Sequence, residues 1–175
     1  LDYFKPYYIT DKPILAMQTN GGPIDIGYQY AWTRDIPEPT VLEIINHYKN
    51  DYTIIHIKRK DQKVYPDVMQ ALDGYRSIAI LLQLSNKRLL MDSFSQHLAA
   101  ALDKKSTVCW ISTKPEIFGY KMHGNIKANP FTKEPSLHEA AYQPFSLSQD
   151  IHSIPYNDLK EIFNTNKIIE SINQQ

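Results

Sequence analysis

The sequence predicts an α/β fold: a parallel sheet flanked by helices. Short apolar runs such as ILAMQT (14–19), TIIHI (53–57), RLLM (88–91) and TVCWI (107–111) have the length and residue types of buried strands. Between them lie helical segments, TVLEIINHY (40–48), RSIAILLQLS (76–85) and 95–102. Strands alternating with helices form βαβ units. Right-handed crossovers place the C-terminal ends of such strands on one edge of the sheet, where ligands bind.

Taken in order, residues 1–13 are rich in tyrosine and proline and read as an extended connector. The first strand stops at Asn20-Gly21-Gly22-Pro23, a strong turn signal. Pro37 and Pro39 open the first helix, whose apolar positions 41, 44, 45 and 48 keep the i, i+3, i+4, i+7 spacing. The second strand ends at the charged cluster Lys58-Arg59-Lys60-Asp61. Residues 66–74 read as a short helix or an irregular segment. The third and fourth strands enclose the helix at 95–102. Beyond residue 112 a Pro, Gly and Asn-rich stretch runs to about 155. A helical period then returns through Leu159, Ile162, Phe163, Ile168 and Ile169, with Asn157 or Asp158 as its N-cap. The expected organisation is a connector over 1–13, one domain over 14–155 and a C-terminal helix over 156–175.

The 175 residues suit one core. Nineteen basic residues balance nineteen acidic ones, which excludes a general field for nucleic acid or membrane surfaces. No apolar run has the length of a transmembrane helix, and no secretory pattern is present. A single cysteine, Cys109, sits in an apolar strand, reads as a buried thiol and fits a reducing, cytoplasmic setting.

The segment MDSFSQHLAAAL (91–102) carries the functional argument. Asp92 stands at a strand's C-terminal end, a small polar turn follows, and a helix begins. A helix N-terminus offers unpaired amides and partial positive charge, a ready phosphate site. Ser93 and Ser95 add hydroxyls, and His97 lies in the first turn. A helix cap with a surface histidine accounts for the same residues equally well.

This segment resembles the signature of glycosyltransferase family nine, the ADP-heptose:lipopolysaccharide heptosyltransferases and their relatives. Asp92, Ser93 and His97 fall on the family's Asp-Ser/Thr-Gly loop and the histidine that follows it. Thr113, Pro115 and Glu116 are similar to its next loop, and Arg34-Asp35-Ile36-Pro37 stands where the family has Lys-x-Trp-Pro. The resemblance covers roughly residues 14–120. Phe94 replaces a glycine of the pattern, Asp103 replaces a second, and the stretch from Gly22 to Arg34, with Tyr28, Tyr30 and Trp32, is longer than in the family.

The resemblance implies a Rossmann-like domain, the C-terminal half of a GT-B fold, that binds a nucleotide-sugar donor for metal-independent transfer of the sugar. The implied donor and phosphate groups are Asn20, Gly21, Arg34, Asp92, Ser93, Ser95 and His97, with Lys58 and Lys60 near the nucleoside. The nucleoside diphosphate sugar, ADP-linked if the likeness extends that far, would be substrate rather than cofactor. Acceptor binding and the catalytic base would belong to a missing N-terminal domain, so no catalytic residue is assigned here and the chain alone is expected to be inactive. No Asp-x-Asp pair occurs, and His56, His123, Asn125 and His138 match no metal-ligand spacing. Two rival readings are a nucleotide-sugar epimerase or hydrolase on the same fold, and a non-catalytic interaction module, for which Phe94 is the main argument.

Overall fold

The structure is a computed structural model that describes residues 11–21, 32–71, 74–133 and 154–175. Among them lie six strands, β1 (Ile14–Met17), β2 (Thr53–His56), β3 (Met69–Gln70), β4 (Lys87–Met91), β5 (Thr107–Trp110) and β6 (Gly124–Lys127). The helices are α1 (Glu38–Tyr48), α2 (Tyr75–Leu84), α3 (Phe94–Ala101), α4 (Pro115–Phe118) and α5 (Thr165–Asn173), with a 3-10 turn at Leu159–Glu161. The strands form one sheet in the order β3-β2-β1-β4-β5-β6. Every pairing is parallel.

The apolar runs work as strands because both faces are buried. Leu15, Met17, Ile54, Leu89, Met91 and Cys109 point to a layer shared with Val41, Ile44 and Ile45 of α1 and Ile168 and Ile172 of α5. Their neighbours Ile14, Ala16, Ile55, Leu90 and Val108 point the opposite way, onto Leu81 and Leu82 of α2 and Ala99 of α3. That alternation is the period of two that a strand imposes, and each large aliphatic so buried contributes about 1.5–3 kcal/mol. Burial also pushes the Cys109 thiol up, away from thiolate.

Two strands depart from the sequence expectation. Met69 and Gln70, expected in a helix or an irregular segment, form an exposed two-residue edge strand. Residues 124–127, expected in a loose stretch, pair with β5 as β6. Neither carries an apolar run, and each is recruited by the open edge of a neighbouring strand. The single period expected over 156–175 is divided. Asp158 does cap, but it caps the 3-10 turn, where its carboxylate accepts from the Lys160 amide at 2.9 Å. Asn164 then caps α5, accepting from the amides of Asn166 and Lys167.

The order of strands reverses between β1 and β4: the crossovers from β1 run one way and those from β4 the other. In such sheets a crevice opens outside the strand ends at that point. The candidate site lies there.

Candidate functional site

β1 runs out into Gln18, Thr19, Asn20 and Gly21, all of them buried. A buried loop needs partners for its polar groups, and here they come from distant segments. The Asp35 carboxylate accepts from the Gly21 amide at 2.8 Å and from Asn20 Nδ2 at 2.9 Å. Gln62 Nε2 donates to the Gly21 carbonyl at 3.1 Å. Thr19 Oγ1 donates to Asn20 Oδ1 at 2.8 Å and lies 2.9 Å from His56 Nε2. With its proton given to Asn20, the threonine oxygen accepts from His56, which fixes the Nε2–H tautomer. His56 Nδ1 has no hydrogen-bond partner among the described residues. Desolvation, with Lys58 adding to it, pushes the His56 pKa down to about 3, so the ring is neutral.

The same scaffold brings Arg34 to this loop. Ser112 donates from its amide and hydroxyl to the Thr33 carbonyl at 3.1 and 2.6 Å, and the Ile36 amide donates to Thr19 O at 2.9 Å. Arg34, between those two anchors, lays its guanidinium against Gly21. A Cβ on Gly21 would stand 3.1 Å from Arg34 Cζ and Nε, close enough to press the guanidinium back by a few tenths of an ångström. Arg34 is half-buried, and its guanidinium has no hydrogen-bond partner among the described residues. A guanidinium with free donors has the chemistry to accept a phosphate.

Across the crevice β4 ends at Asp92, and α3 starts immediately after Ser93. Ser93 has extended backbone and makes no side-chain cap. Its hydroxyl instead accepts from Gln18 Nε2 at 3.1 Å. Ser95 is fully buried and donates to Gln18 Oε1, so it ties α3 to the β1 loop rather than facing the crevice. The first turn of α3 contains no acidic residue, and neither does that of α2.

Asp92 accepts from Thr113 Oγ1 at 2.6 Å, which links it to the loop after β5. His97 is exposed, with Nδ1 3.1 Å from the Tyr120 hydroxyl, on the side of α3 toward α4. The expected groups therefore divide. Asn20, Gly21, Ser93 and Lys58 line one cleft of about 480 Å³, together with Gln18, Ile57, Arg59, Gln62, Ala71, Ile78, Tyr75 and Phe94. Arg34 stands behind Gly21 at its edge, while Asp92 and His97 lie toward β5 and α4. Thr113 opens instead on a second cleft of about 700 Å³ beyond β5 and β6, with Lys114, Glu116 and Lys127. Lys60 is exposed and lines neither.

Of the aromatics in the long insertion, Trp32 is buried edge to face against Phe131, with centroids 6.0 Å apart; Tyr28 and Tyr30 lie outside the described residues. His138 lies outside them as well. His123 is buried, with Nε2 3.1 Å from the Gln96 carbonyl, and Asn125 Oδ1 accepts from the Trp110 indole at 2.9 Å. Among the described residues no three His, Cys, Asp or Glu side chains gather as a metal site.

Sequence reasoning missed Gln18, Asp35, His56 and Gln62 as the groups that shape the loop. Only Asp35 left a trace, as the residue after Arg34. The others act across 37 to 77 positions of sequence, which no local pattern can register.

No family model matches the sequence, and no curated protein matches it. Solved structures do. Glycosyltransferase family 9 from Veillonella parvula DSM 2008 superposes with a TM-score of 0.61 at 12% identity, covering 99% of this chain and 49% of that one. E. coli ADP-heptose lps heptosyltransferase II gives 0.62 at 12%, covering 99% and 51%. E. coli heptosyltransferase WaaC with ADP gives 0.59 at 14%, covering 99% and 48%, and WaaC is also solved with ADP-2-deoxy-2-fluoro heptose. The chain spans about half the length of each of these proteins. No helix among the described residues is long and apolar enough to cross a membrane. The chain has the α/β fold found in family 9 glycosyltransferases and ADP-heptose heptosyltransferases, over about half of their length.

Proposed function

We propose that this chain is a domain that binds a nucleoside diphosphate sugar and supplies it to a glycosyl transfer. The observation that carries this reading is the pairing, across the β1/β4 crevice, of the Arg34 guanidinium at Gly21, which has no hydrogen-bond partner among the described residues, with the start of α3 at Ser93. A diphosphate placed there meets cationic and amide donors from two sides, and their charge can stabilise it as a leaving group. Lys58 adds a third positive group at the cleft wall. Because the chain supplies these charges itself, we expect binding that does not depend on a divalent ion. Asp92, held by Thr113, and His97, held by Tyr120, lie on the β5 and α4 side of the start of α3 and would orient the sugar there. The structural neighbour WaaC, solved with ADP, supports the choice of ligand class. Acceptor binding and proton abstraction are assigned to a separate domain.

Titration calorimetry with ADP and with inorganic pyrophosphate, with and without EDTA, tests the reading. Saturable binding of both ligands, unchanged by EDTA, is expected. Absence of pyrophosphate binding would sink the anion site.

A further inference from the structure

Phe94 occupies a position where the family pattern has glycine, and the structure gives it a definite neighbour. Its ring meets Tyr75 edge to face, with centroids 5.4 Å apart and planes at 85°. Tyr75 opens α2 and Phe94 opens α3, so the pair joins two helix starts at the mouth of the 480 Å³ cleft. Both rings remain in contact with solvent: Tyr75 is 77% exposed and Phe94 37%. Large apolar rings left open at a concave site, rather than packed inside, mark a surface that contacts a ligand. Two perpendicular rings form a corner. A planar ligand lying flat on one ring meets the other edge-on, and both arrangements are favourable for aromatic contacts.

The rest of the cleft constrains the ligand further. Its wall is aliphatic at Ile57, Ala71 and Ile78. The amide side chains that could read the edge of a base are already engaged. Gln18 donates to Asn20 O and Ser93 Oγ and accepts from Ser95. Gln62 donates to Gly21 O and accepts from the Arg59 amide. Asn20 is held by Asp35 and Thr19. Lys58 and Arg59, which also line the cleft, are engaged with Arg59 O and Asp61, so among the described side chains the ring faces are what is left open to a base.

We infer that Tyr75 and Phe94 form a stacking platform for the nucleobase, which selects by ring area and not by hydrogen-bond pattern, so that purines bind better than pyrimidines with little distinction between adenine and guanine. The inference rests on the donor-binding reading above for the diphosphate, but it concerns a different part of the ligand and fails separately.

The test is a set of titrations of the 175-residue chain with adenosine, ADP, GDP, CDP and inorganic pyrophosphate. Wild type, Phe94→Gly, Tyr75→Ala and Phe94→Tyr are compared, each checked for an unchanged melting temperature. Wild type should bind ADP and GDP within a few-fold of each other and CDP more weakly. Phe94→Gly and Tyr75→Ala should each weaken adenosine and ADP by about tenfold, the scale of one lost stacking contact, and leave pyrophosphate unchanged. Phe94→Tyr should retain wild-type affinity. The platform is overturned if Phe94→Gly binds ADP as tightly as wild type or more tightly, for then the ring is a bystander or an obstruction to the diphosphate. It is also overturned if wild type fails to bind adenosine, or separates ADP from GDP by more than tenfold. Loss of pyrophosphate binding by wild type, with adenosine still bound, would instead remove the anion site and leave the platform standing.

Discussion

At the scale of single residues, the site is a problem of unpaired charge. The Arg34 guanidinium is brought to Gly21 with no hydrogen-bond partner among the described residues, and a charged hydrogen bond to phosphate is worth about 1.5–3 kcal/mol. Arg34→Ala should therefore weaken ADP binding by that amount in calorimetry, and equal affinities would reduce Arg34 to a loop residue. Arg34, Gly21 and Ser93 entered the sequence reading through the family resemblance, and the structure lays Arg34 against Gly21 and puts Gly21 and Ser93 on one cleft. His56 was not legible in the sequence, since a histidine at the end of a strand says nothing of what covers it. It is 1% exposed, and burial holds it neutral with a pKa near 3 against an ordinary 6.5. Between those values the unfolded chain carries a proton that the folded chain refuses, so stability falls as pH falls through that window. From pH 7 to pH 5 the loss from this ring is about 2 kcal/mol. His56→Gln keeps a donor for Thr19 and removes the titration. Its urea midpoint should vary less between pH 7 and pH 5 than that of wild type, and identical pH dependence in the two would show that His56 titrates normally.

At the scale of elements, what was legible is what burial writes into a local period. The strands β1, β2, β4 and β5 and the helices α1 to α3 each carry an apolar pattern that matches their observed faces. β3 and β6 carry none, because an edge strand needs only a neighbour's free backbone. Asp103 stands where the pattern that the sequence resembles has glycine. Its φ is +54°, the left-handed residue that ends α3, and the following Lys104 amide reaches back to Ala99 O at 2.8 Å. Aspartate tolerates that conformation better than most residues, so the change leaves the helix end intact. The last helix illustrates how an element serves stability apart from the site. Ile168 and Ile172 of α5 are fully buried against α1 and the sheet, and the Tyr48 hydroxyl donates to Asn173 Oδ1 at 2.8 Å. Lys87 at the start of β4 donates to Ile172 O at 2.9 Å, which puts the end of α5 at the N-terminal edge of the sheet, away from the crevice. Ile172→Ala should cost about 2–5 kcal/mol in denaturant unfolding, the range for an aliphatic truncated in a packed core. ADP affinity of the folded fraction should be unchanged. A weakened affinity would mean that α5 reaches the site.

At the scale of the whole molecule, the fold and the chemistry separate. The sheet order and its reversal at β1/β4 set a crevice at one edge, and the proposed anion groups stand there. Transfer requires more than this: an acceptor hydroxyl, a base to take its proton, and exclusion of water while the donor is open to attack. Closing a cleft and aligning the reactants can lower a barrier by several kcal/mol, and that contribution needs a second wall. This chain spans about half the length of the glycosyltransferases that it superposes on. Within it, the exposed Tyr75 and Phe94 and the His97–Tyr120 pair lie open to solvent. Taken alone, the 175 residues should therefore bind a nucleoside diphosphate and transfer nothing. The assay incubates the chain with ADP-linked and other nucleotide sugars and candidate acceptors, with and without EDTA, and follows nucleotide release. Binding without release is the expected outcome, in both arms. Sustained release by the chain alone would place a base and an acceptor surface within these residues, and Asp92, half-buried at the end of β4 and fixed by Thr113, would be the first carboxylate to remove in search of it. Strict dependence of binding on a divalent ion would instead mean that Arg34 and the start of α3 do not suffice to hold the diphosphate.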